Sequence, residues 1–489
     1  MKGPALLLTI LALLPQQLAA AESPVNRWVK VETKNTFRGY TYASPVYVPT
    51  RKRILHWGAV RNIYRIPLQN RDDVLAFDPE KGDWISDYPT TKNLKPSHSI
   101  GQTGIGTSIR GTAEMQENGR PTPSMFVNAV CYDSKRKQVV YAMKGVMAAY
   151  DPVAKKWTDM KATAWINNKQ YPGGPPVYGA GIGYDPENDT IVMFPHWSGA
   201  GDPKNIDRLD ETGEVSGHLG TLVFSYTDMA WRRAGLDIEP PARCGSPLVY
   251  HPGIKGLVMF GGRDSIVRTD LKRGYHYGAA PGSRNDTWLY DVKTRSWKEV
   301  KTDRRPPVTD LPNLFLETGD NTIFLVTFTE QDRKGKPATC TFWTLDFDKP
   351  AWNRRLTLKL DFDLLYDKKY ASRTPLFCVG YDPERRMLVL TQNKRNDKVV
   401  TQETFAMTVD LSKMVSTPAP EWKPSPPIKP IAWPKADPAH EKRLRNLPAN
   451  RWVKLEPKPG DEVRRDWSNV AFDPVENRFY YFGGGHATY

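Results

Sequence analysis

Apolar and polar positions alternate along this chain in short runs, and the runs stop at turn residues. Gln138 to Met143, Thr190 to Phe194, Gly256 to Phe260 and Arg386 to Leu390 are β-rich apolar segments. Turns of aromatic-Asp type precede three of them, at Tyr132-Asp133-Ser134, Tyr184-Asp185-Pro186 and Tyr381-Asp382-Pro383, and Phe472-Asp473-Pro474 is a fourth. Tyr47-Val48-Pro49 and Tyr250-His251-Pro252 are variants, and Thr318-Gly319-Asp320-Asn321 is a weaker one. Asp and Asn bond the neighbouring backbone and Pro fixes φ, so each place predicts a hairpin turn.

A second spacing is more regular. Seven residues separate Phe77 from Trp84, Tyr150 from Trp157, Phe224 from Trp231, Tyr290 from Trp297 and Leu345 from Trp352. The intervening residues are rich in Asp, Pro, Lys and Gly, which excludes a helical period. The repeated unit is therefore four antiparallel strands, with the Trp opening the last one. Such a unit repeated about an axis predicts an all-β propeller, with the Trp packed between neighbouring blades.

The unit Pro240 to Val300 carries Pro240-Pro241-Ala242-Arg243, Phe260-Gly261-Gly262, Thr287-Trp288-Leu289-Tyr290-Asp291 and Trp297. It resembles the kelch and galactose-oxidase central-domain propellers, and Phe482-Gly483-Gly484-Gly485 repeats its glycine element. Met143-Lys144-Gly145 and His196-Trp197-Ser198-Gly199 stand where that pattern has Gly-Gly. Complete units are expected at about 40–90, 122–160, 175–235, 241–300, 312–356 and 373–424, with a partial one at 466–489. Asn26-Arg27-Trp28-Val29-Lys30-Val31-Glu32 reads as a lone strand of the Trp-bearing type. Together the two ends predict a seventh blade, closed by strands from both termini. Asn450-Arg451-Trp452-Val453-Lys454-Leu455-Glu456 nearly copies the N-terminal segment. It is either an outer strand, such as that of the sixth blade, or the opening of a second propeller.

Ahead of the repeats, Lys2, the apolar run Ala5 to Leu14 and Ala19-Ala20-Ala21 read as a cleaved secretory signal over 1–21. Blades then occupy 22–424, a Pro-rich linker or strap 425–450, and the partial blade 451–489. Export predicts a secreted or periplasmic protein, an oxidising setting that permits disulfides. Cys131, Cys244, Cys340 and Cys378 fall in different blades and show no CxxC spacing, which leaves both buried free thiols and bridges open and indicates no usual zinc site. The net charge of +15 is spread in pairs such as Arg232-Arg233 and Arg304-Arg305. It points to a solvated rim, or to attraction for an acidic polymer or membrane surface. Nucleic acid is not expected, since no binding motif accompanies the charge.

Candidate chemistry gathers where loops after second strands and loops entering blades share one face. His56, Trp57, His196, Trp197, Arg263 and His486 follow second strands, Tyr275 and His276 lie in a long loop, and Arg120, Arg243 and Arg373 enter blades. Imidazole, guanidinium and aromatic groups together suit a sugar or carboxylated ligand; the alternative is that each His caps its own loop. The expected function is an exported binding module for carbohydrate or a protein partner, without cofactor or metal. A galactose-oxidase-like or sialic-acid-mutarotase-like enzyme, as the resemblance implies, and a structural envelope component are the alternatives. Asn188-Asp189-Thr190 and Asn285-Asp286-Thr287 match the glycosylation pattern.

Overall fold

The structure is a computed structural model. It describes residues 24–35, 45–59, 71–88, 115–121, 129–143, 145–166, 169–175, 178–196, 220–241, 243–264, 283–307, 312–330, 337–367, 374–375, 377–396, 399–419, 421, 469–473 and 478–482. Two units are distinguished. One comprises residues 1–268 and 277–424; the other comprises 269–276 and 425–489.

The larger unit is a six-bladed β-propeller. Blade one is Val46–Val48, Arg53–Ala59, Arg71–Asp78 and Asp83–Tyr88. Blade two is Val130–Asp133, Gln138–Met143, Val146–Asp151 and Lys156–Asp159. Blade three is Tyr178–Asp185, Thr190–His196, Leu222–Ser225 and Ala230–Arg233. In blade four the first strand is split into Arg243–Cys244 and Leu248–His251, ahead of Gly256–Asp264, Ser283–Asp291 and Ser296–Glu299. Blade five is Asn313–Glu317, Thr322–Thr329, Thr339–Asp346 and Ala351–Lys359.

Blade six corrects the expected count of seven. Its first three strands are Phe377–Asp382, Met387–Asn396 and Val399–Thr408, and its fourth is the N-terminal strand Val29–Val31. Val29 lies opposite Ala406 and Val31 opposite Thr404. The Asn26 side chain extends the join by donating to the Asp410 carbonyl and accepting from the Asp410 N–H, each at 2.9 Å. The chain that leaves blade six crosses instead to blade five, where Thr417–Pro418 adds a fifth strand beside Ala351–Lys359. Closure by strands from both ends thus occurs in the sixth blade. Asn469–Asp473 and Arg478–Phe482 are not a seventh blade of this ring; they form a two-stranded hairpin in the other unit.

First strands adjoin one another from blade six through one, two, three and four to five. The ring is completed where Tyr381 of blade six packs at a tilt against Phe315 of blade five, centroids 5.6 Å apart, and its hydroxyl donates to Glu317. Inner strands this close leave little room for side chains. A Cβ on Gly181 would sit 2.0 Å from the Ser246 carbonyl oxygen, and one on Gly380 would sit 2.6 Å from Ile54 Cγ2. Glycine is used there because another backbone or side chain fills the space.

The core lies between the blades. Val31, Ile54, Phe77, Trp84 and Val389 fill the seam between six and one, and Val192, Phe194, Leu257, Tyr290 and Trp297 that between three and four. The seven-residue spacing follows from geometry: Phe77 stands opposite Trp84, Tyr150 opposite Trp157 and Tyr290 opposite Trp297 across a four-residue turn. Helical structure among the described residues is limited to short turns such as Pro49–Arg51 and Leu411–Lys413.

One addition lies outside the repeat. In the connection from blade two to blade three, Thr163–Ile166 and Lys169–Pro172 form a ribbon. Thr163–Ile166 pairs in parallel with Ala230–Arg233 at the outer edge of blade three.

Candidate functional site

The two faces of the ring differ in how the chain turns. All eleven connections between first and second or third and fourth strands in the larger unit are four residues long: 49–52, 79–82, 134–137, 152–155, 186–189, 226–229, 252–255, 292–295, 318–321, 347–350 and 383–386. In seven of them the last strand residue is Asp78, Asp133, Asp151, Asp185, Asp291, Asp346 or Asp382, whose carboxylate accepts from backbone N–H groups of the turn. The residue closing the turn is often left-handed, as at Lys137, Lys155, Asp189, Lys255 and Arg386, the conformation of a type I turn followed by an αL position.

Side chains on this face tie blade to blade. Lys52 reaches Glu384 at 3.1 Å, Lys155 reaches Asp87 at 3.8 Å, Arg136 reaches Asp189 at 2.7 Å and Lys255 reaches Glu187 at 2.9 Å. Arg386 meets Glu317 at 3.1 Å. The Arg136 guanidinium holds the Asp189 carboxyl well below the usual carboxylate range. This face is a girdle of short turns.

Connections of the other kind leave from the opposite face. Residues 60–70 and 265–282 link second to third strands, and 89–129 and 300–312 link blades. Two of the expected ligand-binding arginines have described side chains here, and both act within the scaffold. Arg243 has a fully buried side chain; it forms a bidentate pair with Asp286 at 2.6 and 2.7 Å and donates to the Gly261 and Pro241 carbonyls. Ser246 also donates to the Gly261 carbonyl, at 2.6 Å. Gly261 and Gly262 have φ of 60° and 96° at a bulge against Ser283–Asp291. Arg243 therefore braces the glycine pair. Burial alone would raise the Asp286 carboxyl, but Arg243 and the Trp288 indole N–H hold it below its ordinary value.

Arg120 is paired with buried Asp72 at 3.0 Å and lies 3.9 Å above the Tyr88 ring. Asn118 donates to the other Asp72 oxygen. Sequence reasoning did not foresee Asp72 or Asp286. Both stand near the start of third strands, after the connections 60–70 and 265–282 of unequal length, so no fixed spacing connects them to their arginines.

His56 and Trp57 are core residues in this structure. His56 faces the seam with blade six, where Cys378 Sγ lies 3.6 Å from Nε2 and Trp84 meets the ring edge-on. Burial holds His56 down to about 3, so it is neutral. Trp57 faces blade two and packs on Trp157 at 4.5 Å. His196 and Arg263 are placed by their backbones at the ends of second strands. Trp197, Tyr275, His276, Arg373 and His486 lie outside the described residues. His56 and Trp57 thus face opposite sides of blade one, while Arg120 pairs with Asp72 and Arg243 with Asp286.

Cys131, Cys340 and Cys378 are free and buried, and burial pushes the Cys340 and Cys378 thiols up to about 12. Both glycosylation-pattern asparagines are engaged: Asn188 donates to Asp185 and the Val292 carbonyl, and buried Asn285 donates to the Pro306 carbonyl. No group of three or more His, Cys, Asp or Glu side chains able to hold a metal occurs among the described residues.

No family profile matches the chain, and no curated protein matches it. Solved structures do. One protein, assigned provisionally as a gluconolactonase, is 12% identical with a TM-score of 0.37, over 80% of this chain and 93% of that one. A protein named YjhT is 11% identical with a TM-score of 0.25, over 53% of this chain and 83% of that one. The sialidase of Trypanosoma rangeli, in complex with sialic acid, is 9% identical with a TM-score of 0.38, over 80% of this chain and 60% of that one. At these values the comparisons carry no argument about activity, and the expected kelch membership has no family match behind it.

Proposed function

We propose that this chain is an exported binding module that takes carbohydrate on the propeller face bearing the long connections. The observation that supports this reading is the contrast between faces: eleven turns of uniform length on one, and on the other connections as long as 89–129. Functional residues concentrate on variable loops held by a rigid scaffold, and the close-packed seams between blades supply that scaffold here. Arg120 and Arg243 contribute by fixing the strand ends and the Gly261-Gly262 bulge from which such connections depart.

The test is a glycan array probed with the full chain, alongside a variant in which 265–282 is replaced by a four-residue turn. Binding that is lost in the variant supports the reading. Absence of binding to every neutral and acidic glycan overturns it and redirects attention to a protein partner. Export rests on residues 1–21 acting as a cleaved signal; N-terminal sequencing of protein recovered outside the cytoplasm should begin near Ala21 or Glu22.

A further inference from the structure

The ribbon added to blade three presents a row of side chains that the fold itself does not use. Nine described tryptophans are at most 8% exposed, whereas Trp165 is 40% exposed. Its position is fixed from beneath. Ala164 is fully buried, and Tyr171, opposite Ala164, packs against the core shared by blades one to three. Alternation along the strand then turns Trp165 outward.

Strand register sets its neighbours. Trp165 stands opposite Gln170 on the ribbon's edge strand and opposite Arg232 on the fourth strand of blade three. Both partners are exposed. Strands lie about 5 Å apart, so an amide, an indole and a guanidinium form a row about 10 Å long on one surface. Arg232 has an ion pair with Asp228, but Nε is 3.7 Å from the carboxylate and both side chains are about half exposed, at 55% and 48%. That separation exceeds a hydrogen bond, so the guanidinium fork remains available to a better-placed anion.

We propose that Trp165, Gln170 and Arg232 form a surface subsite for an acidic polysaccharide. A uronic-acid ring lies flat on the indole, which offers a broad apolar face at small entropic cost. The Gln170 amide both donates to and accepts from ring hydroxyls. Arg232 takes the carboxylate through its planar fork. The chain's net charge of +15 draws a polyanion toward the surface. The ligand class rests on the carbohydrate reading above, but the site is separate from the loop-bearing face.

The experiment is affinity electrophoresis of the full chain through gels containing polygalacturonate, dextran or no polymer. Trp165→Ala leaves net charge unchanged, so it separates ring stacking from simple charge attraction. We expect the wild type to be retarded by polygalacturonate, Trp165→Ala to weaken binding at least tenfold, and Arg232→Gln to reduce the preference for polygalacturonate over dextran by more than the loss of one of the fifteen net charges accounts for. Thermal unfolding midpoints serve as the fold control. Unchanged retardation of Trp165→Ala, or no retardation of the wild type, overturns the proposal. The 265–282 replacement separates the two sites. If it loses polygalacturonate binding while Trp165→Ala keeps it, the ribbon is excluded and the loop face retained.

Discussion

Trp84 Nε1 donates a 3.0 Å hydrogen bond to Thr404 Oγ1, joining blade one to blade six across 320 positions of sequence. The same contact recurs around the ring. Trp297 donates to Thr221 at 2.7 Å and Trp352 to Thr287 at 2.9 Å, while Trp231 places its N–H on the Met147 sulfur at 3.2 Å. In each case the acceptor belongs to the third-strand segment of the preceding blade.

Replacing Thr404 by Val keeps the shape and removes the acceptor. The Trp84 N–H is then buried without a partner, which costs about 1–3 kcal/mol. Urea unfolding should show that loss for Thr404→Val, and Thr404→Ser should retain most of the wild-type stability.

Removal of Arg243 should be more damaging. Arg243→Ala leaves Asp286 charged and largely buried, at a cost of about 3–5 kcal/mol. Asp286 is held below its ordinary pKa, so its contribution is present above about pH 4 and disappears as pH falls through the native value. Stability measured between pH 7 and pH 2.5 should decline more steeply in the wild type than in an Arg243→Met, Asp286→Leu double variant.

His251 occupies the place that Asp holds in most of the short turns. Its Nδ1 accepts from the Ile254 N–H at 3.2 Å, and its ring meets Phe347 of blade five edge-on at 5.3 Å. The cap requires a neutral ring. Burial lowers the His251 pKa below its ordinary value, so the unfolded chain takes up the proton first. The stabilisation is complete above about pH 6.5 and is lost as pH falls below it. His251→Asp caps in its charged form, and its stability should vary less than that of the wild type between pH 6.5 and 5.

At the closing strand, Trp28 is buried and Arg27 is exposed. Trp28→Ala should cost about 3–5 kcal/mol, while Arg27→Ala should leave the unfolding midpoint nearly unchanged. Thermal melts of the two variants make the comparison.

The blade repeat is readable in the sequence because the turns are uniform. A third-strand residue and the Trp seven positions later face each other whenever the turn between them has four residues. The blade count is not readable the same way. Val29–Val31 resembles any fourth strand, and only its pairing with Val399–Thr408 assigns it to blade six. Phe472 and Asp473 end a strand that pairs antiparallel with Arg478–Phe482, yet these strands belong to a separate unit. His56 carried a misleading signal as well. Beside Trp57 it resembles a rim residue, but second strands are covered on both sides, so Leu55 and Trp57 face blade two while Ile54 and His56 face blade six. Trp165 lacks the seven-residue signature, and its setting depends on a parallel pairing that no local pattern announces.

The strand that closes blade six has a consequence for biosynthesis. Residues 26–31 are translated before any blade, yet their partner strand ends at Thr408. At about 5–20 residues per second, the ribosome needs tens of seconds to reach that partner. Until then the opening strand has no sheet to join, and it pairs only once the edge of Val399–Thr408 has been made. A nascent chain paused before blade six would expose the apolar faces of blades one and five that blade six covers, such as Ile54 and Phe77 on one and Phe324 and Phe342 on the other, and chaperone engagement should be strongest at that length.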